Sequence, residues 1–430
     1  MIPIHQAAAQ AGQQASAPAS DHWRGGTLHL SSLPPLALYV HIPWCLKKCP
    51  YCDFNSHASA PGKALPVQAY LAALRADLEA ALPLIWGRRV VSVFMGGGTP
   101  SLFEPEAIES LLGDIRARVP LEPGCEITLE ANPGTFEAQR FAAYRAAGVT
   151  RLSIGVQSFD DRALKAIGRV HDGQQARAAL DEAARSFETF NLDLMYALPG
   201  QSLEALRADL RTALSYQPPH LSVYHLTLEP NTWFATHPPE LPDDDTAAEM
   251  LDVITDTTQT AGMDRYEVSA FAKPGHRCRH NLNYWQFGDY LGIGAGAHSK
   301  LSFAHRIIRQ VRWREPARYM EQALAGVAVS NENEVTRHQL TFEFMLNALR
   351  LREGFAVEDF GQRTGLLASS LNDKVQAAID KGLLAAELDA LGRYTRMRAT
   401  DRGFDFLSNL QEMFLPARGD RSPVGAVERL

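Results

Sequence analysis

The segment Tyr39-Val-His-Ile-Pro-Trp-Cys-Leu-Lys-Lys-Cys-Pro-Tyr-Cys-Asp-Phe54 places three cysteines in a compact loop directly after an apolar, strand-like run. The cysteines are Cys45, Cys49 and Cys52, with the spacing Cys-x3-Cys-x2-Cys. Thiolates are soft ligands that favour iron-sulfur clusters, zinc or Cu(I), and three of them can hold three irons of a 4Fe-4S cluster. The spacing therefore predicts a 4Fe-4S cluster with one iron left open for another ligand.

Two other uses of these cysteines fit the sequence less well. A structural zinc site usually has four protein ligands, commonly as two separated pairs, and the chain has no second Cys-x2-Cys pair. A disulfide framework is disfavoured because five cysteines in 430 residues is a sparse, odd number with no secretory signal ahead of it. Cys125 is interpreted as a core residue and Cys278 as an incidental neighbour of a later motif. His41 and His57, which flank the loop, are interpreted as packing or hydrogen-bonding residues rather than ligands.

The composition is that of a soluble globular protein, with 46% hydrophobic and 21% charged residues. The formal net charge is -7, so no global positive field would attract nucleic acid, and we expect no nucleic-acid partner. No uninterrupted apolar run reaches the roughly 18 residues of a membrane span, so any membrane contact would be peripheral. These features predict a cytoplasmic protein.

Short apolar runs of strand character alternate along the chain with segments in which apolar residues recur at helical spacing. Such β-helix-β alternation implies parallel strands with right-handed crossovers and helices on the outside. A complete barrel needs eight such units and the chain offers six, so we predict an α/β fold with a partial (β/α)6 TIM-like barrel. The predicted strands are residues 36–42, 90–95, 126–130, 151–157, 191–198 and 221–226, and the predicted helices include 67–82, 105–119, 136–147 and 203–216.

The sequence divides into five segments. Residues 1–32 are rich in Ala, Gln, Ser and Gly and are interpreted as a disordered extension, and 416–430 as a flexible tail. The barrel core is assigned to 33–270 and a connecting segment to 271–334. Residues 335–415 change to three helical segments and a short hairpin, which predicts a winged-helix-like C-terminal domain, and its mixed acidic residues favour packing or partner docking over DNA binding. Its predicted helices are 337–351, 357–363 and 368–381.

Glycines and polar residues close several predicted strands. The run Gly96-Gly97-Gly98-Thr99-Pro100 follows the second strand, and glycines there let backbone groups approach a ligand such as the amine of an amino acid. Glu130 closes the third strand, where its carboxylate can accept hydrogen bonds from ribose hydroxyls. Polar residues inside apolar strands need a ligand or a neighbouring side chain to satisfy them, and each one singly would also fit a buried hydrogen-bond network. The corresponding polar residues in the next β-helix units of the barrel are Gln157, Arg169 and Asp193.

Several motifs together resemble the HemN-type radical S-adenosylmethionine (SAM) family, from Tyr39 to the end of the C-terminal domain. The resemblance implies that the amine and carboxylate of SAM occupy the open iron, and that an electron from the cluster cleaves the sulfonium to give a 5'-deoxyadenosyl radical. The motifs are the cysteine loop, Gly-Gly-Gly-Thr-Pro-Ser, Glu-Ala-Asn-Pro, Gly-Val-Gln-Ser-Phe, Gly-Arg-Val-His, Tyr-Ala-Leu-Pro-Gly-Gln, His280-Asn-Leu-Asn-Tyr-Trp285 and Leu291-Gly-Ile-Gly-Ala-Gly-Ala-His298.

Two branches of this family differ in function. One is oxygen-independent coproporphyrinogen III dehydrogenase, HemN, which oxidatively decarboxylates a porphyrinogen, and the other is the heme-chaperone branch, HemW. The dehydrogenase carries Cys-x3-Cys-x2-Cys-x-Cys, and Phe54 stands where its fourth cysteine would be. The run from His280 to Trp285 matches the His-Asn-x-x-Tyr-Trp motif of the chaperone branch, and an imidazole is a good axial ligand for heme iron. The chain is therefore identified as a member of the chaperone branch, with the dehydrogenase as the alternative.

The resemblance also implies roles for individual residues. The three loop cysteines would hold the cluster, and heme would be held by His280 with Asn281, Tyr284 and Trp285 beside it. The implied partners are heme itself, membrane-bound respiratory cytochromes that receive it, a second copy of the chain in a homodimer, and the cytoplasmic face of the membrane. The residues implied to surround SAM are Tyr39, Tyr51, Gly97, Gly98, Thr99, Glu130, Gln157, Arg169 and Asp193.

Overall fold

The computed structural model describes residues 28–60, 62–134 and 139–416. Six parallel strands follow one another through helices, as the sequence predicts. The described strands are β1 (Leu36–Ile42), β2 (Trp44–Cys45), β3 (His57–Ala58), β4 (Val90–Gly97), β5 (Leu121–Ala131), β6 (Arg151–Gln157), β7 (Phe190–Tyr196), β8 (His220–His225), β9 (Asp264–Arg265), β10 (Ala270–Ala272), β11 (Asp289–Ile293), β12 (His298–Phe303), β13 (Arg306–Arg312), β14 (Val329–Glu334), β15 (Phe355–Ala356), β16 (Leu384–Leu388) and β17 (Tyr394–Ala399).

Helices connect these strands and cover the outside of the sheet. The described helices are α1 (Val67–Ala81), α2 (Pro105–Arg118), α3 (Phe141–Ala147), α4 (Asp161–Ala166), α5 (Gly173–Ser186), α6 (Leu203–Ser215), α7 (Trp233–Thr236), α8 (Asp244–Thr260), α9 (Arg279–Trp285), α10 (Pro316–Leu324), α11 (Arg337–Ala348), α12 (Val357–Thr364), α13 (Asn372–Asp380), α14 (Asp401–Asp405) and α15 (Leu407–Glu412). Short 3₁₀ turns cover Leu82–Leu84, Pro100–Leu102 and Ala368–Leu371. Within the described ranges, no helix combines the length and the apolar composition needed to cross a lipid bilayer.

The main sheet extends beyond the six predicted barrel strands on both sides. Its order is β14-β13-β12-β11-β1-β4-β5-β6-β7-β8-β10-β9. β11 lies parallel to β1, and β12, β13 and β14 continue from it as an antiparallel meander, while β10 and β9 are antiparallel additions beside β8. The barrel is therefore open. The segment 271–334 is more than the connector that the sequence predicts, because its strands belong to the same sheet as the barrel.

The barrel strands have an apolar outer face and a polar inner face, because side chains alternate along a strand with a period of two. On β5, Leu129 belongs to the main apolar core, whereas its neighbour Glu130 points into the barrel lumen. Hydrogen bonds join the inner faces of the next three strands, so the lumen is lined by a connected polar network. Its members are Ser153, Asn191, Asp193 and Ser222.

Local sequence signals set the ends of the outer helices. α2 begins with Pro105, whose missing N–H would have no partner at that position in any case. α5 begins with a capping box, in which the Asp172 carboxylate accepts from the Gln175 backbone N–H and the Gln175 side chain accepts from the Asp172 N–H. α3 ends at Gly148, whose φ of 109° forms a left-handed cap. These ends return the chain to the start of the next parallel strand.

The C-terminal region contains the predicted three helices and hairpin. α11, α12 and α13 pack with the β16–β17 hairpin around a second apolar core, and β15 adds a third strand to the hairpin. Phe344 and Phe360 meet edge to face in this core, with ring centroids 5.3 Å apart. The winged-helix-like prediction is confirmed.

The predicted disordered extension 1–32 is wrong at its C-terminal end. The backbone N–H groups of Leu28 and Leu30 donate to the carbonyls of His305 and Ala304, at 3.0 and 2.9 Å. Both leucine side chains are buried in the C-terminal core, which offsets the cost of ordering this short segment. Residues 1–27 of the extension, and 417–430 of the predicted tail, lie outside the described residues.

Candidate functional site

The cysteine loop lies at the C-terminal edge of the barrel, beside the glycine run that ends β4. Gly98 N–H donates to the Ile42 carbonyl and Thr99 N–H to the Trp44 carbonyl, both at 2.8 Å. A Cβ on Gly98 would lie 2.6 Å from the Trp44 carbonyl oxygen, so the close approach of the two backbones requires glycine. The first two barrel units therefore fix the start of the loop.

Each sulfur of the cysteine loop has a polar neighbour. Metal ligation requires the thiolate, and hydrogen bonds to sulfur favour that charged form. Burial raises the pKa of the Cys45 and Cys52 thiols, and the contacts with Thr99 and Ser56 lower it in part. The three pairs are Thr99 Oγ1 to Cys45 Sγ at 3.5 Å, Ser56 Oγ to Cys52 Sγ at 3.6 Å and Arg169 Nη1 to Cys49 Sγ at 3.7 Å.

A hydrogen-bonded arc joins two of the cysteines across the barrel rim. Asn132 Nδ2 donates to Thr99 Oγ1 at 3.1 Å, and Asn132 Oδ1 accepts from Arg169 Nη2 at 2.6 Å. Arg169 Nη2 also donates to the Gly155 carbonyl at 2.8 Å. Because Thr99 and Arg169 are the donors to Cys45 and Cys49, the arc fixes those two donors relative to each other.

The three loop cysteines are unpaired and partly accessible. Across residues 28–60, 62–134 and 139–416, no three His, Cys, Asp or Glu side chains converge on a point that would hold a single metal ion. The thiolates of a 4Fe-4S cluster bind different irons, so they do not need to converge on one point. The assignment of these cysteines as cluster ligands stays a prediction.

Gly97 and Glu130 meet at the ends of β4 and β5. Gly97 N–H donates to Glu130 Oε2 at 3.1 Å. Gly97 has a φ of 110°, and a Cβ at this position would overlap the imidazole ring of His41. The position therefore requires glycine for both conformation and space, and it brings a backbone amide and a carboxylate within reach of one ligand.

We expect Gly97→Ala to lower the free energy of unfolding by about 2 kcal/mol or more, because the new Cβ overlaps His41 and strains the backbone. Gly113→Ala is the matched control. Gly113 lies within α2 with open space around its Cβ position, so this variant should gain about 0.5–1 kcal/mol from its higher helix propensity. Urea denaturation of the cluster-free proteins measures both changes, and parental stability of Gly97→Ala would contradict the prediction.

Two carboxylates with raised pKa values line the lumen below the cysteine loop. Burial, reinforced by the charge of Asp193, raises the pKa of Glu130 to about 8. Burial also raises the pKa of Asp193 to about 6, although hydrogen bonds from Asn191 and Ser153 lower it in part. Burial therefore favours the protonated form of both carboxyls, and the effect is larger for Glu130. Such a carboxyl can donate a hydrogen bond to a polar ligand when protonated and accept one when ionised.

We expect Glu130→Gln to make the protein more stable than its parent at pH 9. The folded-state pKa of Glu130 lies above its usual value of 4.5, so parental stability should fall as pH rises from about 4.5 to about 8. The variant removes this loss, which amounts to a few kcal/mol because one pKa unit corresponds to about 1.4 kcal/mol. Glu204→Gln is the control, since its side chain is 75% exposed.

Thermal unfolding from pH 4 to pH 9, without added SAM, measures the difference between parent and Glu130→Gln. The two curves should meet near pH 4 and separate as pH rises. A constant gap across the range would show that the carboxyl does not titrate in the predicted window.

Three further residues implied to surround SAM lie at or just below the same rim. Tyr39 stacks on Phe94 with ring centroids 6.0 Å apart, and its hydroxyl lies 2.8 Å from His41 Nδ1. Tyr51 packs against the small apolar cluster that includes Leu198. Gln157 ends β6 with a φ of 66°, a conformation that is unfavourable for a residue with a Cβ. Strain of this kind is commonly found at functional sites.

The two histidines that flank the cysteine loop act as hydrogen-bonding residues, as predicted. His41 is buried, and its Nε2 lies 2.9 Å from the Asn55 carbonyl oxygen, while Tyr39 contacts its other ring nitrogen. Burial lowers the pKa of His41 to about 4, so this ring is neutral at physiological pH. His57 Nε2 lies 3.3 Å from Asn55 Oδ1.

The motif His280 to Trp285 forms helix α9 at the opposite end of the barrel from the cysteine loop. The His280 ring packs on Phe94, with centroids 4.2 Å apart, and the residue is 9% exposed. Phe94 precedes Gly97 by three residues, which is about 10 Å along a strand. Tyr284, one turn after His280, packs edge-on against Tyr290 at 4.7 Å. Phe94 also stacks on Tyr39, so this one ring lies between the motif and a predicted SAM residue.

A buried carboxylate on β5, Glu126, contacts the start of α9. Its Oε1 accepts from Arg279 N–H at 2.9 Å and lies 3.3 Å from His280 Nδ1, and its Oε2 accepts from Arg151 Nη1 at 3.1 Å. Burial alone would raise the pKa of Glu126, but hydrogen bonds and charges from His280 and Arg151 hold it below its usual value. Because Nδ1 faces Glu126, Nε2 is the His280 nitrogen that can bind a metal.

Asn281 and Trp285 contact residues from distant parts of the chain. Asn281 Nδ2 donates to the Tyr266 hydroxyl at 3.2 Å. The Trp285 ring lies under the Arg350 guanidinium, 4.1 Å from its Cζ. Trp285 Nε1 is enclosed and has no hydrogen-bond partner among the described residues. Such a donor is costly to bury, so this nitrogen is a candidate contact for an acceptor on a ligand.

The sequence did not predict three residues of the cysteine-loop region and the α9 region. They are Ser56, Asn132 and Glu126. Asn132 stands in the Glu-Ala-Asn-Pro motif, so its polar type at a strand end was a usable signal. Glu126 gave no such signal, because its partner His280 lies 154 residues away along the chain.

Comparison with known proteins identifies relatives of most of the chain. Residues 39–213 match the Radical SAM superfamily and residues 335–406 match the HemN C-terminal domain. The heme chaperone HemW of Escherichia coli strain K12 is 46% identical over 385 residues, which are 89% of this chain and 99% of that protein. The heme chaperone HemW of Haemophilus influenzae is 45% identical over 392 residues, which are 90% and 99% of the two chains.

A solved structure supports the fold. Coproporphyrinogen III oxidase (HemN) from Escherichia coli, a radical SAM enzyme, superposes with a TM-score of 0.74 over 94% of this chain and 99% of that chain. The two sequences are 22% identical, so the likeness concerns the fold alone. The prediction of an open α/β radical SAM barrel with a HemN-type C-terminal domain is confirmed.

Proposed function

This chain belongs to the HemW family of radical SAM proteins, as its motifs predict, and from that premise we propose that it is a heme chaperone. It would bind heme and deliver it to respiratory-chain hemoproteins. The observation that carries the proposal is the position of His280, which belongs to the motif that the family resemblance links to heme. Its ring is held by the buried carboxylate of Glu126. Relatives named heme chaperone align with nearly the whole chain, which supports the same function.

We also propose that Cys45, Cys49 and Cys52 hold a 4Fe-4S cluster, since membership of the radical SAM superfamily implies a cluster and SAM. The polar contact at each sulfur supports this ligand set. When bound, the reduced cluster would supply the one electron that cleaves the sulfonium of SAM. The Gly97 backbone would contact the amine of SAM and Glu130 the ribose hydroxyls. The other proposed SAM residues are Tyr39, Tyr51, Gly98, Thr99, Gln157, Arg169 and Asp193.

The residues around α9 include the types of side chain that hold a heme group. Axial histidines commonly donate their second ring N–H to a carboxylate or carbonyl, and His280 has this arrangement with Glu126. Tyr284 and Trp285 offer flat apolar surfaces, Asn281 is a polar neighbour, and the enclosed Trp285 Nε1 can donate to a heme propionate. Since His280 is only 9% exposed, iron can reach Nε2 only if residues around α9 move.

The proposed acceptors are membrane-bound respiratory cytochromes. A cytoplasmic protein that serves them would contact the membrane peripherally, and we propose that it works as a homodimer. The proposed partners follow from the family resemblance. Transfer of heme to a cytochrome is the step that can be measured directly.

Heme transfer tests the proposed function. The heme-loaded protein is mixed with the apo-form of a b-type cytochrome in lipid vesicles, with SAM and a reductant, and heme spectra are followed in both partners. Apomyoglobin at the same concentration serves as a passive sink for dissociating heme. Transfer to the cytochrome should be faster than transfer to apomyoglobin, because delivery requires contact between carrier and acceptor. Equal rates would indicate simple dissociation and would exclude directed delivery.

A further inference from the structure

We infer that Glu126 is a positioning residue for heme: it orients the His280 ring and strengthens the imidazole as a ligand by accepting a hydrogen bond from Nδ1. The inference rests on the proposed function, because it takes His280 Nε2 as the atom that binds the heme iron. Glu126 lies on β5, outside the His-Asn-x-x-Tyr-Trp motif, and no family motif quoted above includes it.

The Glu126 carboxylate is fixed by partners other than the histidine ring. Its Oε1 accepts from the backbone N–H groups of Arg279 and His280, at 2.9 and 3.4 Å. Its Oε2 accepts from Arg151 Nη1 at 3.1 Å, and Arg151 Nη2 donates to the His276 carbonyl at 2.6 Å. Arg151 and Glu126 are 2% and 9% exposed, so water competes little for these contacts. The acceptor for His280 Nδ1 is therefore held in place by the protein.

The His280 ring is held both at its edge and on its face. Glu126 Oε1 lies 3.3 Å from Nδ1, and the Phe94 ring lies against the imidazole with centroids 4.2 Å apart. Together these contacts restrict rotation of the ring, so Nε2 points in a defined direction. A ligand that is oriented before iron arrives loses less freedom on binding.

The charge of Glu126 adds an electronic effect to this orientation. A carboxylate draws the Nδ1 proton more strongly than a neutral carbonyl does and so raises the basicity of the ligating nitrogen. A more basic ligand stabilises ferric over ferrous heme, so the parent should have a lower midpoint potential than a variant with a neutral acceptor. Replacing an outer partner of this kind typically weakens metal binding by about 10–100-fold.

A structural role alone would leave a different signature. If Glu126 only capped α9 through the two backbone N–H groups, its loss would change protein stability without changing the bond between iron and His280. The midpoint potential of bound heme separates these two roles, because it reports on the ligand and not on the helix cap.

The test compares the parent with Glu126→Gln by titration with hemin and by potentiometric titration of the bound heme. Gln keeps the shape and a neutral acceptor but removes the charge. Because this change leaves Arg151 buried without its partner, the double variant with Glu126→Gln and Arg151→Gln is measured too, as it carries no unpaired charge. Circular dichroism identifies which variants are folded.

Every folded variant that lacks the Glu126 charge should bind hemin about 10–100-fold more weakly and have a more positive heme midpoint potential. A parental midpoint potential in the folded variants would overturn the inference. His280→Ala separates this outcome from failure of the proposed function. If His280→Ala binds heme as the parent does, the heme site itself is misplaced; if it loses heme while Glu126→Gln keeps the parental potential, only the role of Glu126 is rejected.

Discussion

Replacement of any one loop cysteine by alanine should remove most of the iron from the reconstituted protein, from about four irons per chain to well under one. Three thiolates are the minimum protein ligand set for a cluster with one open iron, so two cannot hold it. The affected residues are Cys45, Cys49 and Cys52, each of which has its own polar contact in the structure. SAM binding should be lost with the cluster, because SAM completes the coordination of the open iron.

Cys125→Ala and Cys278→Ala are the matched controls for this prediction. Both are buried free thiols on elements away from the cysteine loop, and burial raises the pKa of each. Each control should retain the parental iron and sulfide content after anaerobic reconstitution. The ligand assignment would have to be abandoned if Cys49→Ala kept its full iron content, or if a control lost as much iron as the loop variants.

His280→Ala should weaken heme binding by at least about 100-fold. Removal of a second partner of a metal-bound histidine already costs about 10–100-fold, and removal of the ligand itself should cost more. The Soret band of any residual complex should also change, because the iron loses its imidazole. Hemin titration followed by absorbance measures both effects.

His276→Ala is the control for the heme prediction. His276 lies four residues before His280 and contacts Thr189 through its ring, at 3.2 Å. Loss of that ring should leave heme affinity within about threefold of the parent, which is the variation expected for a substitution that does not contact the ligand. A heme site centred elsewhere would be indicated by equal affinities of His280→Ala and the parent.

The six barrel strands could be predicted because their outer faces are apolar and their units repeat. The extension of the sheet could not be predicted, because β11, β12 and β13 bury charged residues. A sequence pattern assigns such residues to the surface. Lys300 pairs with Asp289 at 3.0 Å and Arg312 with Asp77 at 3.2 Å, and all four side chains are 2% exposed or less. Burial of Arg312 depends on a partner 235 residues away along the chain, and burial of Lys300 depends on a partner in the neighbouring strand β11.

The candidate site, too, could be predicted from the sequence only in part. The cysteine loop and the glycine run are continuous in sequence, so their chemistry could be inferred from residue type and spacing. Asn132, which joins Thr99 to Arg169, acts only through contacts made across the barrel rim. Glu126 reaches His280 only because β5 and α9 meet in the fold. Pairings of this kind depend on tertiary structure and have no pattern in the sequence.

The central claim is that the protein carries heme and does not oxidise a porphyrinogen. The most direct measurement is anaerobic incubation of the cluster-loaded protein with coproporphyrinogen III, SAM and a reductant, with the product separated by chromatography. We predict no protoporphyrinogen above a control without SAM, from a preparation that binds hemin. SAM-dependent formation of protoporphyrinogen over several turnovers would contradict the account and identify the protein as a dehydrogenase.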